Sequence, residues 1–260
     1  MDLRAETATA EAGGGVLAGT ALITGGARRV GSAIARALHG AGLNVAIHYR
    51  ASGAEARALA AELNRLRPDS AVSLRANLLS VDQLARLAQQ VQERWGRLDL
   101  LVNNASSYYE TPVGSITEAA FDDLIGTNLK APLFLAQACA PALRKAHGAI
   151  VNVSDLYARK PLRGRAPYCA AKAGLEAITR VLALELAPEV RVNAVAPSGI
   201  LWPSDDSVDE AGRQEFLARL PAGRLGGPEA IADAVLYLAG PAAWFVTGTT
   251  LAVDGGEGLL

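Results

Sequence analysis

Short apolar runs alternate along the chain with longer stretches in which apolar residues recur every three or four positions. Such runs are typical of parallel strands buried on both faces, and the longer period is typical of the helices that cover them. The pattern predicts seven strands, at Ala21–Thr24, Asn44–Tyr49, Ala71–Arg75, Leu98–Val102, Ala149–Val153, Arg191–Ala196 and Thr250–Val253. It predicts helices at Val30–His39, Ala54–Arg65, Val81–Trp95, Phe121–Lys145, Tyr168–Leu186 and Pro228–Leu238. This alternation predicts an α/β fold with a doubly wound parallel sheet.

Two segments lie outside this alternation. Residues 1–16 contain three consecutive glycines, so we expect a flexible N-terminal tail ahead of one domain at residues 17–260. Residues 197–221 follow the sixth strand and break the pattern with Trp202 and several Pro and Asp residues. An irregular insertion after the carboxyl end of a strand is typical of a substrate loop in an α/β fold.

Composition and charge exclude several kinds of partner. The 260 residues are 50% hydrophobic and carry 25 basic against 26 acidic side chains, without a basic block, so we expect neither nucleic acid nor a membrane as a partner. No apolar run reaches transmembrane length and no secretory signal precedes the domain, so a cytoplasmic protein is expected. Cys139 and Cys169 lie far apart without metal-ligand spacing, and we predict no metal site.

A glycine-rich turn joins the first predicted strand to the first helix. It reads Thr24-Gly25-Gly26-Ala27-Arg28-Arg29-Val30-Gly31. Glycines here let the backbone approach a pyrophosphate, whose charge the amino terminus of the helix stabilises. The turn alone is weak evidence, but its place between the first strand and the first helix indicates a Rossmann-type dinucleotide site.

The end of the second predicted strand indicates which dinucleotide binds. An NAD enzyme of this fold usually has an acid there, which binds the ribose 2′-hydroxyl. This chain continues His48-Tyr49-Arg50-Ala51-Ser52, without a carboxylate. A lone arginine is usually a solvated charge, but Arg50 and Ser52 are expected to face Arg28 and Arg29. Guanidinium groups bind phosphate oxygens with several donors, so we predict NADPH as the cofactor.

A tyrosine and a lysine four residues apart form the predicted catalytic pair. Tyr168 and Lys172 share one face of a predicted helix, and Asn128 lies on the helix before it. Together with Asn104-Ala105 and the glycine-rich turn, these residues resemble the short-chain dehydrogenase/reductase family. The resemblance implies that the tyrosine donates a proton, that the lysine holds the nicotinamide ribose and lowers the phenol pKa, and that the asparagine organises a proton-conducting water.

The chain departs from that family's usual pattern at two positions. Arg29 stands where the turn usually has a small residue, and Asp155 stands thirteen residues before Tyr168, where the family usually has a serine. Ser154 is one position short, and one step along a strand turns a side chain to the other face, so we do not expect it to replace that serine. Reduction of a carbonyl needs a hydroxyl donor on oxygen. Reduction of a C=N bond needs a proton on nitrogen, which an acid beside Tyr168 can supply.

Both departures, and the segment Ser106–Pro112, resemble the pteridine reductases. Their turn reads T-G-x-x-x-R-x-G, and their segment after the fourth strand reads N-A-S-S-[F/Y]-Y-x-T-P. The resemblance implies that Tyr108 stacks on a pterin and that Arg29 contacts both the cofactor phosphate and the pterin. It also implies a homotetramer in which the helices that contain Phe121 and Tyr168 form the interfaces.

The predicted activity is NADPH-dependent reduction of a C=N bond in an oxidised pterin, a dihydropterin or dihydrofolate. The predicted catalytic residues are Asp155, Tyr168, Lys172 and Asn128. The predicted cofactor contacts are Gly25, Arg28, Arg29, Val30, Gly31, His48, Tyr49, Arg50, Ser52, Asn77, Leu78, Asn104, Ala105, Ser106, Tyr168, Lys172, Pro197 and Ser198. The predicted substrate contacts are Arg29, Ser106, Tyr108, Asp155, Tyr168, Leu201 and Trp202.

Two other functions remain open at this point. One is a generic short-chain reductase of a ketone or sugar, although Arg29 and Asp155 both argue against it. The other is a regulator that binds NADPH without turnover, which predicts a broken Tyr/Lys pair, whereas Tyr168 and Lys172 are both present. The family's Pro-Gly after the sixth strand is Pro197-Ser198-Gly199 here, so the geometry of the substrate loop is open too.

Overall fold

The computed structural model describes residues 18–202 and 209–260, so the predicted tail at residues 1–16 lies outside the described residues. The strands are β1 Thr20–Ile23, β2 Asn44–Tyr49, β3 Ala71–Arg75, β4 Leu100–Asn103, β5 Ala149–Val153, β6 Arg191–Pro197 and β7 Thr250–Val253. All neighbouring strands pair in parallel, in the order β3-β2-β1-β4-β5-β6-β7. This single doubly wound sheet confirms the fold that the apolar runs predict.

Helices cover both faces of the sheet. Their bounds are α1 Arg29–Gly40, α2 Gly53–Leu66, α3 Val81–Trp95, α4 Glu118–Ile125, α5 Ala131–Ala146, α6 Ala166–Leu186, α7 Glu210–Arg219 and α8 Gly227–Ala239. Side chains alternate along β1, so Ala21 and Ile23 pack with α1, α2 and α8, while Leu22 packs with α3, α5 and α6. β1 therefore needs apolar residues on both of its faces.

The order of the strands places the site. From β1 the sheet grows through β2 and β3 on one side and through β4 to β7 on the other. The loops at the carboxyl ends of β1 and β4 consequently diverge, and a crevice opens between them. None of the helices within residues 18–202 and 209–260 is long and apolar enough to cross a membrane.

The helix predicted at Phe121–Lys145 is helical throughout, but it contains a π-helical turn that was not predicted. It consists of α4, a π-helical turn at Gly126–Lys130, and α5. A π turn adds one residue to a helix without ending it, and the apolar residues continue on either side. The sequence pattern therefore does not reveal the interruption.

The substrate loop predicted at residues 197–221 is not wholly irregular, because it contains α7. The side chain of Asp209 caps this helix by accepting the N–H of Gly212 at 2.8 Å. None of the α7 residues that the structure describes is buried, so the helix has no apolar stripe that a pattern could detect. Residues 203–208 of the loop lie outside the described residues.

The fourth strand begins at Leu100 rather than at the predicted Leu98. Leu98 is buried, but it does not pair with a neighbouring strand.

Candidate active site

A cleft of about 600 Å³ opens at the carboxyl ends of the strands, beside the switch point between β1 and β4. Most of the residues predicted to bind cofactor or to catalyse lie along it. They are Gly25, Arg28, Arg29, Val30, Gly31, His48, Tyr49, Arg50, Ser52, Asn77, Leu78, Asn104, Ala105, Ser106, Asp155, Tyr168, Lys172 and Pro197. One cleft thus joins the glycine-rich turn, the end of β2 and the Tyr/Lys pair.

Hydrogen bonds from neighbouring strands hold the glycine-rich turn. The N–H of Gly25 donates to His48 Nδ1 at 3.1 Å. Thr24 Oγ1 accepts the N–H groups of Asn104 and Ala105 at 2.9 and 3.0 Å, and Asn104 Nδ2 donates to the carbonyls of Thr24 and Gly25. The turn is thereby fixed between β2 and β4. Sequence reasoning assigned no role to Thr24, although it stands directly before the first glycine.

The turn also packs too closely for side chains at its glycines. A Cβ at Gly31 would overlap the carbonyl oxygen of Gly25 and lie 2.9 Å from Gly26 Cα. A Cβ at Gly25 would lie 3.0 Å from Ala105 Cα, and its φ of +61° favours glycine. The bare backbone therefore faces the cleft, where it leaves room for a pyrophosphate at the start of α1.

Three arginines line the part of the cleft next to β2. Arg28 Nη1 lies 3.5 Å from Glu55, Arg50 Nη1 lies 3.9 Å from Asp123, and Arg29 Nη2 donates to the carbonyl of Trp202 at 3.5 Å. The ion pairs of Arg28 and Arg50 are long and solvent-exposed, so each is weak. A phosphate group can replace them at small cost.

The end of β5 and the first turns of α6 bring the catalytic candidates together. Tyr168 OH donates to Asp155 Oδ2 at 2.7 Å, and the other carboxyl oxygen of Asp155 accepts the N–H of Tyr157 at 2.9 Å. The buried Lys172 donates to the carbonyl of Val153 at 2.8 Å. The hydroxyl of Ser154 donates to Glu176 instead, so it turns away from Tyr168 as the alternation along a strand predicts.

Burial controls the protonation of this group. It raises the pKa of Asp155, an effect that hydrogen bonds from Tyr157 and Tyr168 and the charge of Lys172 only partly offset. Burial and then the charge of Asp155 raise the pKa of Tyr168, and burial lowers the pKa of Lys172 to about 8. We expected Lys172 to lower the pKa of the phenol. The structure shows the opposite net shift, because burial raises the phenol pKa most and the neighbouring Asp155 raises it further, while the Lys172 ammonium donates to a backbone carbonyl.

Asn128 lies in the π-helical turn, and its side chain holds the loop after β4. Its Nδ2 donates to the carbonyls of Leu124 and Ser107, both at 2.9 Å, and its Oδ1 accepts the hydroxyl of Ser106 at 2.7 Å. A π turn removes the usual backbone partner of the carbonyl four residues earlier, so the amide takes that place. Asn128 therefore positions Ser106 at the wall of the cleft.

Tyr108 and Tyr109 point to different surroundings. The ring of Tyr108 meets the ring of Tyr168 almost at a right angle, with centroids 4.8 Å apart, and 48% of Tyr108 is exposed. Tyr109 OH donates to the carbonyl of Ala120 at 3.2 Å and to Asp123 at 3.1 Å, on α4. Of the two aromatic residues, Tyr108 lies beside the catalytic candidates, as its position in the segment predicts.

Five predicted site residues are not among those that line the cleft: Tyr108, Asn128, Ser198, Leu201 and Trp202. Tyr108 directly follows Ser107 of the cleft wall, and Asn128 hydrogen-bonds to Ser106 and Ser107. Ser198 Oγ donates to Glu257 at 2.6 Å, so the extra residue after β6 faces the C-terminal turn. Leu201 is partly exposed, and Trp202 packs edge-on against Phe216 of α7. Among the residues that the structure describes, no cluster of three His, Cys, Asp or Glu side chains could hold a metal ion.

Comparisons with known proteins agree with this geometry. A family model described as enoyl-(acyl carrier protein) reductase matches residues 25–257. The chain is 37% identical to pteridine reductase 1 of Leishmania tarentolae, over 92% of this chain and 96% of that protein. It is 36% identical to a 3-oxoacyl-[acyl-carrier-protein] reductase of Staphylococcus aureus, over 91% and 97%. It is 38% identical to an uncharacterized oxidoreductase of Mycobacterium tuberculosis, over 91% and 90%.

A parallel seven-stranded sheet with a nicotinamide-type cleft and a Tyr/Lys pair defines an oxidoreductase of the Rossmann type. The chain belongs to the short-chain dehydrogenase/reductase family. Members of this family bind NAD(P)H, and the cleft offers that cofactor a bare glycine-rich turn and a row of cations.

The substitution Gly31→Ala tests the close packing of the turn. Its Cβ would displace the Gly25 carbonyl, so we expect the dissociation constant of the nicotinamide cofactor to rise about tenfold or more. Gly40→Ala is the matched control, because it lies at the end of the same helix and its Cβ would meet no described atom within 4 Å. Fluorescence titration of both variants measures the effect, and equal affinities would contradict it.

His48 gives the turn a pH dependence. Burial lowers its pKa from 6.5 to about 4, so the unfolded chain binds a proton between these pH values while the folded chain does not. The contribution of the neutral His48 ring to the free energy of unfolding is complete above pH 6.5. It decreases by about 3 kcal/mol as the pH falls towards 4. His48→Asn keeps an acceptor for Gly25 but does not titrate. Urea unfolding of the cofactor-free proteins should show wild type losing stability relative to the variant on acidification, and parallel profiles would contradict the assignment.

Proposed function

We propose that the protein is an NADPH-dependent pteridine reductase that reduces a C=N bond of an oxidised pterin, a dihydropterin or dihydrofolate. The observation that carries the proposal is the 2.7 Å hydrogen bond from Tyr168 to Asp155, at the position where the wider family has a serine. Bound NADPH would supply the hydride for the carbon of the C=N bond, and the nitrogen must then receive a proton. The protein's own residues have to deliver that proton.

Asp155 and Tyr168 suit the protonation of nitrogen. Burial and the charge of Asp155 raise the pKa of the Tyr168 hydroxyl, so it carries its proton at neutral pH but is a weak acid by itself, and it needs a partner that returns the proton it gives to nitrogen. The resulting phenolate would be destabilised by burial, and the raised pKa of Asp155 lets this carboxyl take a proton from water and return it to the phenol oxygen. A carbonyl substrate would instead develop negative charge on oxygen next to Asp155, and this charge would be repelled whenever the carboxyl group is ionised.

The cleft also suits the phosphate of NADPH. The end of β2 offers Arg50 and Ser52 rather than an acid, and Arg28 faces the same cleft. An acid at this point would favour the free 2′-hydroxyl of NADH, whereas guanidinium groups favour a 2′-phosphate. Lys172, buried at the bottom of the cleft, would hold the nicotinamide ribose.

Tyr108 would stack on the flat heterocycle, since its half-exposed ring adjoins Tyr168. Similarity to the pteridine reductase of Leishmania tarentolae supports this substrate class. A nearly equal identity to a 3-oxoacyl-[acyl-carrier-protein] reductase keeps a ketone substrate as the alternative, but Asp155 and Arg29 both favour a pterin. The contact between Tyr168 and Asp155 also argues against a regulator without turnover.

We further propose a homotetramer with α4 and α6 at its interfaces, in line with the half-exposed Phe121 on α4.

The direct test measures oxidation of NADPH and NADH with biopterin, dihydrobiopterin, dihydrofolate, simple ketones and a 3-oxoacyl thioester. We expect turnover of at least one pterin or folate, with NADPH preferred over NADH. Turnover confined to ketones or thioesters would overturn the pterin assignment. Tight binding of NADPH without turnover of any substrate would favour the regulator.

Substitution of Asp155 tests the proton relay. Asp155→Ser retains an acceptor for the Tyr157 N–H but removes the acid, so we expect kcat/KM for the pterin to fall about 100-fold or more. The dissociation constant of NADPH should stay within about twofold of wild type. Ser154→Ala is the neighbouring control, because its hydroxyl donates to Glu176, and it should retain turnover. Equal losses of NADPH binding and turnover in Asp155→Ser would mean that Asp155 is structural.

A further inference from the structure

Resting on the proposed function, we propose that Arg165 is a positioning residue that holds the ring of Tyr108 for stacking and thereby sets the KM for the substrate. Arg165 directly precedes α6, three residues before Tyr168. Its guanidinium carbon lies over the ring of Tyr108, 4.8 Å from the centroid. Only 12% of the Arg165 side chain is exposed, so the cation is held against the ring rather than solvated.

The backbone next to Arg165 joins the same two segments. Thr111 forms a parallel β-bridge with Arg165, and its N–H donates to the carbonyl of Gly164 at 2.8 Å. Glu110 Oε1 lies 3.2 Å from Arg165 Nη1. The segment that carries Tyr108 is thus tied to the turn that starts α6, and α6 carries Tyr168.

Tyr108 needs such a partner because little else immobilises it. Almost half of the side chain is exposed, and its described aromatic neighbour, Tyr168, meets it at an interplanar angle of 75°. The guanidinium covers part of the ring, which leaves the remaining exposed surface to a substrate. Arg165 Nε has no hydrogen-bond partner among the described residues, so the contact with the ring is one of three interactions of this group, beside those of Nη1 with Glu110 and with the Gly164 carbonyl.

This arrangement predicts that loss of Arg165 changes KM for the substrate but not kcat. Arg165 is not among the residues that line the cleft, so its loss should leave the proton relay and the cofactor in place. Loss of the guanidinium would let the Tyr108 ring leave its stacking position. The substrate would then have to order the ring when it binds, and this cost in free energy weakens binding. We therefore expect KM to rise while kcat changes little.

The experiment measures kcat, KM for the pterin substrate and the dissociation constant of NADPH for Arg165→Met and Arg165→Lys. Arg165→Met keeps the length but removes the charge, and we expect a KM about tenfold above wild type, with kcat and NADPH affinity within about twofold. Arg165→Lys retains the charge without the planar group and should recover part of the loss. The control Arg163→Met removes an exposed charge from the same loop and should resemble wild type.

Combination with changes at Tyr108 separates positioning from a general structural role. In a Tyr108→Phe background the ring remains, so Arg165→Met should still raise KM. In a Tyr108→Leu background no ring remains, and the same substitution should add little. An unchanged KM in Arg165→Met, an equal effect in both backgrounds, or a parallel loss of NADPH affinity would overturn the inference while leaving the pterin activity established. Absence of pterin turnover by the wild type would overturn the proposed function, and this inference with it.

Discussion

The hydrogen bond between Tyr168 and Asp155 joins the end of β5 to the first turn of α6, and the chemistry of the cleft depends on it. Both partners are largely withdrawn from water, where a charge on either one is costly. The nearby Lys172 ammonium offsets part of that cost for Asp155. The contact therefore keeps Tyr168 protonated, and it places beside the phenol a carboxyl group whose raised pKa lets it bind and return a proton.

A parallel sheet makes this contact possible, because it places the ends of separate strands at one edge. The glycine-rich turn follows β1, Arg50 follows β2, Asn104 follows β4 and Asp155 follows β5. None of these residues lies close to another in sequence. The hydrogen bonds of Thr24 and Asn104 then fix the turn against the neighbouring loop, so the cofactor side and the proton side of the cleft keep their relative positions.

The sequence was sufficient for the parts of the structure that follow from local pattern. Strands buried on both faces leave continuous apolar runs, and a fixed spacing of thirteen residues predicted that Asp155 rather than Ser154 would face Tyr168. The missed features depend on tertiary contacts. The π turn at Asn128 adds a residue without disturbing the apolar period, α7 has no buried face, and the contact of Arg165 with Tyr108 joins residues that are 57 positions apart.

Overall identity separates the possible substrates poorly, because it counts every position equally. The pteridine reductase and the 3-oxoacyl reductase differ by only one percentage point in identity to this chain, each over more than 90% of it. In the proposed reaction, delivery of the proton depends on the group that hydrogen-bonds to Tyr168. A serine at that position would offer a neutral hydroxyl to a developing oxyanion, whereas Asp155 offers an acid that can supply a proton to nitrogen. That one side chain therefore bears more directly on the substrate than the shared fold does.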